Sequence, residues 1–486
     1  MSKFLNSKES LSSSLLLWEG CPTQISIKDT YNLRIWPITN IFNDGPINFN
    51  IPPQPKGMLT DINIITKFKI QNHGIDITEY QKSLSVINNF ANSLWSLMDI
   101  TIDDRTDLTQ SMKNAYAYQT FFNHAFNSES NRIDYLFTNE LFKMDQGVSK
   151  HVDEESLSDY SYWQYDHAYD HIFDATPGIT DSNRTTKKQA FMENQKYWTN
   201  VYDINPSASD RNLRIAHGQS LTLSAKLHCP LFNTSKCLPT NTKIRISLTK
   251  NSDDFLLLTN LNTEYNIVIE DVYLDVTYTQ PSDPILNILE EKLQKNPAIY
   301  FISKPEIIIK PITYPSRIIR ITDIFHDKIP SYAFFCLQKS RDFEGKQTTN
   351  PYAFIPFSKF QFFMDGVPYF INPLQITYRK TDSGKIVGEC GSFLRQLYQT
   401  IGKDLRGDCL INSTNFLLNF IVGMSLTADR CSTTSPHLNL QQRASTHIEI
   451  DMGINEDIPE DMILIVYAIY DRQIQINSDR QITIVE

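Results

Sequence analysis

The chain has no excess of positive charge: 45 Lys and Arg stand against 55 Asp and Glu, a formal net charge of −10. That balance excludes a protein whose main task is gripping nucleic acid through a basic surface. It leaves open one that encloses nucleic acid without reading it. No apolar run approaches the roughly 18 residues that a membrane-crossing helix needs. The N-terminal cluster Leu15-Leu16-Leu17 is far shorter than the core of a secretory signal. The seven cysteines are scattered with no Cys-x-x-Cys pair, the expectation for reduced thiols in an intracellular protein. The Asn-x-Ser/Thr matches at Asn183, Asn233 and Asn412 therefore read as chance. Missing too are G-x-S-x-G, the Walker loop and G-x-G-x-x-G, so nothing in the chain is an enzyme signature. No catalytic residue, cofactor site or metal site is expected.

What the chain does have is aromatic and apolar mass. It holds 28 Phe and 23 Tyr, is 41% hydrophobic and only 21% charged, which describes a folded protein. Glycine is scarce at 16 residues against 23 prolines, and helix-type runs are few. Strands and ordered loops are favoured over a helical bundle. A length of 486 residues exceeds one ordinary core and fits two or three domains.

The stretch Glu264–Asn296 organises the rest. Val272, Leu274, Val276 and Tyr278 fall at every second position, opposite Asp271, Asp275 and Thr277, as in a strand with one buried face. Pro281 stops the strand, and a helix follows with Asp283 as N-cap and Pro284 in its first turn. Ile285, Ile288, Leu289 and Leu293 make one apolar stripe, and Asn296-Pro297 ends it. The expected layout is an N-terminal arm over 1–20 and a first β-rich domain over 21–281 with an insertion at about 127–210. A linking helix over 282–297 and a second β-rich domain over 298–486 complete it.

In the first half, strands are expected at Cys21–Ile27, Leu33–Ile38, Ile47–Ile51, Asp61–Ile70, Asn88–Ile102, Ser220–His228 and Lys243–Leu248, with a short helix at Asn114–Phe126. In the second they are expected at Glu306–Thr313, Arg317–Ile324, Ala333–Leu337, Phe357–Phe363, Leu374–Tyr378, Phe416–Met424, Thr446–Ile450, Met462–Tyr470 and Gln473–Ile476, with a helix at Ser392–Ile401. Roughly eight short strands per half suit a jelly roll.

Three clusters resemble metal sites and fall short. His167 and His171 share a face if helical, with Asp166, Asp170 and Asp174 nearby, but lack the glutamate of a zinc-protease motif. His228, Cys229 and Cys237 fit no zinc-module spacing and lack a fourth ligand. Asp99, Asp103, Asp104 and Asp107 lack the glycine and terminal glutamate of a calcium loop.

Cys21–Ile27 reads Pro-Thr-Gln-x-Ser-Ile, and Asn43–Asn50 then carries Asp-Gly-Pro-Ile-x-Phe. Together they resemble the opening of the major capsid proteins of Polinton/Maverick elements and the related adintoviruses. The likeness continues through Asp61–Ile70, Asn88–Ile102, Leu248–Phe255 and the strand–helix hinge. It returns at Pro311–Arg317, Asn350–Phe354, Phe363–Gly366 and Val466–Asp471, and is weakest in the 127–210 insertion. Order and spacing carry it rather than any single motif. The resemblance implies an all-β double jelly roll, two eight-stranded β-sandwiches with a short linking helix and long inserted loops. It also implies a homotrimer, a pseudo-hexameric capsomer that tiles an icosahedral shell with neighbouring capsomers and with penton and minor capsid proteins. Such a shell is built inside the host cell and encloses double-stranded DNA without sequence-specific binding. The insertion would be an outer loop or a subunit contact, and the arm would lie at the base. The competing function is a receptor- or carbohydrate-binding jelly roll of a spike or minor capsid protein. In it Tyr160, Tyr162, Trp163, Tyr165, Tyr169 and Phe173 would stack on sugars. Assembly into trimers and shells favours the first, and glycan binding without assembly favours the second.

Overall fold

The structure, a computed structural model, describes residues 23–485 except 42–44, 78–83, 104–111, 146–205, 216–217, 260–264, 313–316, 327, 346–349, 381–385, 404–406, 414, 417–418, 431–438, 441 and 454–460. The N-terminal arm and most of the insertion lie outside the described residues. No described helix is long and apolar enough to cross a membrane. The five described cysteines are free thiols.

The first β-sandwich is built on the strand Tyr265–Pro281. It pairs antiparallel with Ile27–Ile35 on one side and Met58–Asn72 on the other, and Leu221–Lys226 extends the sheet beyond Met58–Asn72. The expected alternation is present but changes phase. Tyr265, Ile267 and Ile269 face the core, then Val272, Leu274, Val276 and Tyr278 do. A bulge between Ile269 and Asp271 inserts the extra residue, Glu270, that moves inward positions from odd to even numbers. The Glu270 carboxylate meets Lys67 at 3.0 Å outside the core. The facing sheet contains Ile47–Ile51, Ile244–Lys250 and Trp95–Ile102.

Two expectations change here. The separate strands at Cys21–Ile27 and Leu33–Ile38 are one strand, Ile27–Ile35, because ladder pairing with Tyr265–Pro281 overrides the turn-like Lys28-Asp29-Thr30. The strand at Asn88–Ile102 starts only at Trp95. Asn89 takes a left-handed backbone, φ 57°, and a short helix, Phe90–Ser93, comes first. Asparagine accepts that conformation more readily than most residues.

The linking helix runs Asp283–Lys295 with Ser282, not Asp283, as its N-cap. Its apolar stripe is only partly covered: Leu293 is buried, while Ile288 and Leu289 are 47% and 39% exposed. The chain re-enters a sheet at once through Ala298–Ile312, a longer strand than the expected Glu306–Thr313, since pairing with Met462–Ile476 extends along its whole length. Tyr332–Lys339 and Val422–Ser425 continue this sheet. The facing sheet holds Ile318–Thr322, Thr446–Asp451 and Lys359–Met364. The strand expected at Phe416–Met424 forms only over Val422–Ser425. Before it, the Asn415 amide donates to the Leu410 carbonyl at 2.8 Å and Asn419 N–H to the Asn415 carbonyl at 3.1 Å, local bonds that replace a ladder.

Met462–Tyr470 and Gln473–Ile476 are one strand, and its first nine residues are buried on both faces. A sandwich strand ordinarily keeps one face wet, so an unbroken apolar run such as Met462-Ile-Leu-Ile-Val-Tyr-Ala-Ile-Tyr470 signals a second cover. That cover comes from the first half.

Candidate functional site at the junction of the sandwiches

The cover is the helix Ala115–Asn127, close to the Asn114–Phe126 expected from sequence. Eleven of its side chains are buried. Four of its five aromatic rings meet the second half, while the Tyr116 hydroxyl bonds to Asn92 and His228 in the first. Phe126 stacks on Phe334 at 4.2 Å between ring centroids, Phe122 on Tyr467 at 5.0 Å, and Phe121 lies nearly parallel to Tyr352 at 4.3 Å. Offset stacking of this kind adds to the burial of the rings themselves. With both halves closing on one helix, the aromatic cluster forms a core shared by the two sandwiches. Beside it is an open cavity of about 480 Å³ lined by Gln119, Asn123 and Asn127 of the helix and by Phe301, Tyr332 and Tyr467 of the second half.

Polar bonds fix the register of that core. The Tyr118 hydroxyl donates to the Pro351 carbonyl at 2.7 Å, and Ser93 Oγ lies 2.6 Å from the Tyr352 hydroxyl. Burial raises both tyrosine pKa values, so both hydroxyls stay protonated and can donate. Arg211, wholly buried, donates from Nη2 to Asp145 Oδ1 at 2.8 Å and from Nε to the Val86 carbonyl at 2.8 Å. The other oxygen of Asp145 accepts from Asn350 Nδ2 at 3.1 Å, which ties the guanidinium to the second sandwich. Outside the core, Arg480 holds Glu290 of the linking helix with Nη2 2.9 Å from each carboxylate oxygen.

One glycine marks how closely the halves approach. Gly345 has φ +82°, and a Cβ there would lie 2.7 Å from Cα of Phe255 in the first half. Gly345→Ala is expected to cost roughly 1–3 kcal/mol through backbone strain, with the steric clash added. Thermal unfolding of the purified variant measures it, and an unchanged midpoint would contradict the close approach.

Beneath the helix lies a buried titratable cluster. His124 Nε2 sits 2.8 Å from Glu140 Oε2, which also accepts from Asn92 Nδ2 at 2.6 Å. The His228 ring stands edge-on to His124 at 4.9 Å, with Nδ1 2.8 Å from the Asn123 amide nitrogen. Burial, with His124 and Lys226 nearby, holds the His228 pKa well below the usual histidine value, so the ring is neutral at pH 7. The sequence grouping of His228 with Cys229 and Cys237 is not the spatial one. Burial pushes the Cys229 thiol up to about 11, and Cys237 lies elsewhere, 3.8 Å from Thr60 Oγ1. Asp99 lies mid-strand in Trp95–Ile102 and Asp103 just past its end, both half-buried, while Asp104 and Asp107 lie outside the described residues. The His167–His171 cluster and the aromatics at 160–173 also lie outside them.

No family sequence model and no curated protein sequence matches the chain. Solved structures do. The Sputnik virophage structure superposes with a TM-score of 0.56 at 11% identity, over 99% of this chain and 93% of that one. The Faustovirus major capsid protein gives 0.53 at 8% identity, over 95% and 92%. The mavirus major capsid protein gives 0.50 at 10% identity, over 100% and 96%. The likeness runs through both sandwiches and the linking helix. The chain is a double jelly roll. In this double jelly roll the helix Ala115–Asn127 is the element common to both cores. The polar residues that tie the two halves together (Asp145, Arg211, Asn350) carry no motif in the sequence. The one legible signal was the uninterrupted apolar strand that the helix covers.

Proposed function

We propose that the chain is a structural subunit of an icosahedral virus shell, a major capsid protein that acts through contact area rather than chemistry. The observation that carries this reading is the end-to-end likeness to capsid proteins across both sandwiches. Three copies would form a pseudo-hexameric capsomer, because two similar sandwiches in each of three chains present six similar corners. The surface supports assembly. Ile288 and Leu289 on the linking helix, and Ile299 and Phe301 on the strand after it, are 39–52% exposed. Trp36 and Ile38, just past the edge strand Ile27–Ile35, are 53% and 73% exposed. An open strand edge flanked by apolar side chains suits pairing with another chain. Placement near the Polinton/Maverick and adintovirus proteins rests on the sequence motifs quoted above. Penton and minor capsid proteins would be the further partners, and double-stranded DNA the cargo.

Light scattering and negative-stain microscopy of the purified protein test the reading. Trimers of the 56.1-kDa chain with a hexagonal outline, or closed shells, are expected. A monomer at every salt and protein concentration would overturn it.

A further inference from the structure

We propose that His124, Glu140 and His228 form a buried zinc-class cation site that clamps the junction helix to the first sandwich. Sequence spacing points to no such site, because the three residues come from separate elements. His124 lies on the helix Ala115–Asn127, Glu140 ends the helix Ile133–Glu140, and His228 follows the strand Leu221–Lys226. One donor atom from each lies within 4.8 Å of the others. On a tetrahedral ion with bonds of about 2.1 Å, ligand atoms stand roughly 3.4 Å apart, so small side-chain shifts close the site.

The deciding atom is Nε2 of His228. It is buried, and no hydrogen-bond partner reaches it. A buried polar atom left this way requires an explanation that packing alone does not provide. A plain His124–Glu140 ion pair would account for two of the three residues and leave that nitrogen unexplained.

The surroundings suit a metal. Two imidazoles and a carboxylate are a nitrogen–oxygen set that zinc accepts with water as the fourth ligand. Asn92 Nδ2 already braces Glu140 Oε2. Asn123 stands 2.8 Å from His228 Nδ1, and a half-turn of its amide, matched by one of the exposed Asn127 amide that now donates to Asn123 Oδ1, would present the oxygen to an Nδ1–H and free Nε2 to ligate.

The test uses the full-length protein as it assembles, with Zn²⁺ and Co²⁺ as the probes. About one tightly held zinc per chain is expected by plasma mass spectrometry. Stripping with a strong chelator should lower the melting temperature, and Zn²⁺ should restore it. Co²⁺ should give the intense visible absorption of a four-coordinate site. His228→Gln should weaken zinc binding on the order of 100-fold or more, while leaving the secondary structure intact. A stripped protein that melts unchanged with Zn²⁺ and shows no four-coordinate Co²⁺ spectrum overturns the proposal. Zinc lost in a single desalting step does so too. The cobalt spectrum is read on the unaltered chain, so a variant that fails to fold does not blunt the test.

Discussion

Replacing Phe122 by alanine is expected to destabilise the protein by about 3–5 kcal/mol, the usual cost of emptying a buried aromatic site. Phe122 is fully buried and touches both halves, with Phe126 at 5.8 Å on its own helix and with Phe354 at 6.0 Å and Tyr467 at 5.0 Å in the second sandwich. The cavity therefore opens at the junction rather than inside either sandwich. A second consequence is expected, loss of cooperativity between the halves, seen as two unfolding transitions in place of one. Phe360→Ala is the control. Phe360 is equally buried but meets Phe335 at 5.3 Å and Phe357 at 6.0 Å, both in the second sandwich. It should cost a similar amount without splitting the transition. Denaturant unfolding followed by far-ultraviolet circular dichroism, which reads the strands of both sandwiches, measures both variants; all five tryptophans lie in the first half. An unsplit transition for Phe122→Ala at full stability would mean that the junction is not a shared core.

The other large effect belongs to Arg211. Arg211→Met keeps much of the side-chain volume but removes the cation beside Asp145, and a buried carboxylate deprived of its partner charge costs about 3–5 kcal/mol. Asp145→Asn in the same chain removes the stranded charge and should recover a good part of that loss. The coupling is the readout: the double variant should be more stable than the sum of the single changes predicts. Additive losses would show that Arg211 contributes through its bonds to the Val86 and Lys143 carbonyls instead.

Period-two alternation made most of the strands legible in the sequence, because each sandwich strand keeps one dry and one wet face. It failed where that premise failed. At Glu270 an inserted residue shifted the phase, so only the later half of the strand Tyr265–Pro281 stood out as alternating. Ahead of Val422 an apolar run looked like a strand, but Asn415 and Asn419 bonded locally instead of joining a ladder. The junction was harder to read. Tyr118 and Gln338, or Asp145 and Asn350, are more than 200 positions apart, and no local pattern announces their meeting. The same holds for His124, Glu140 and His228: each alone is an ordinary polar residue, and only the fold collects them.

The shared helix also sets a clock for synthesis. Phe122 and Phe126 leave the ribosome long before Phe334 and Tyr467, the rings that will cover them. At roughly 5–20 residues per second, the interval between Phe126 and Tyr467 is about 20–70 s. During that time the nascent first sandwich displays a bare aromatic face, and chains emerging side by side on one message each offer the other the same unsatisfied surface. The last long strand, Met462–Ile476, therefore completes the first half of the molecule as much as the second.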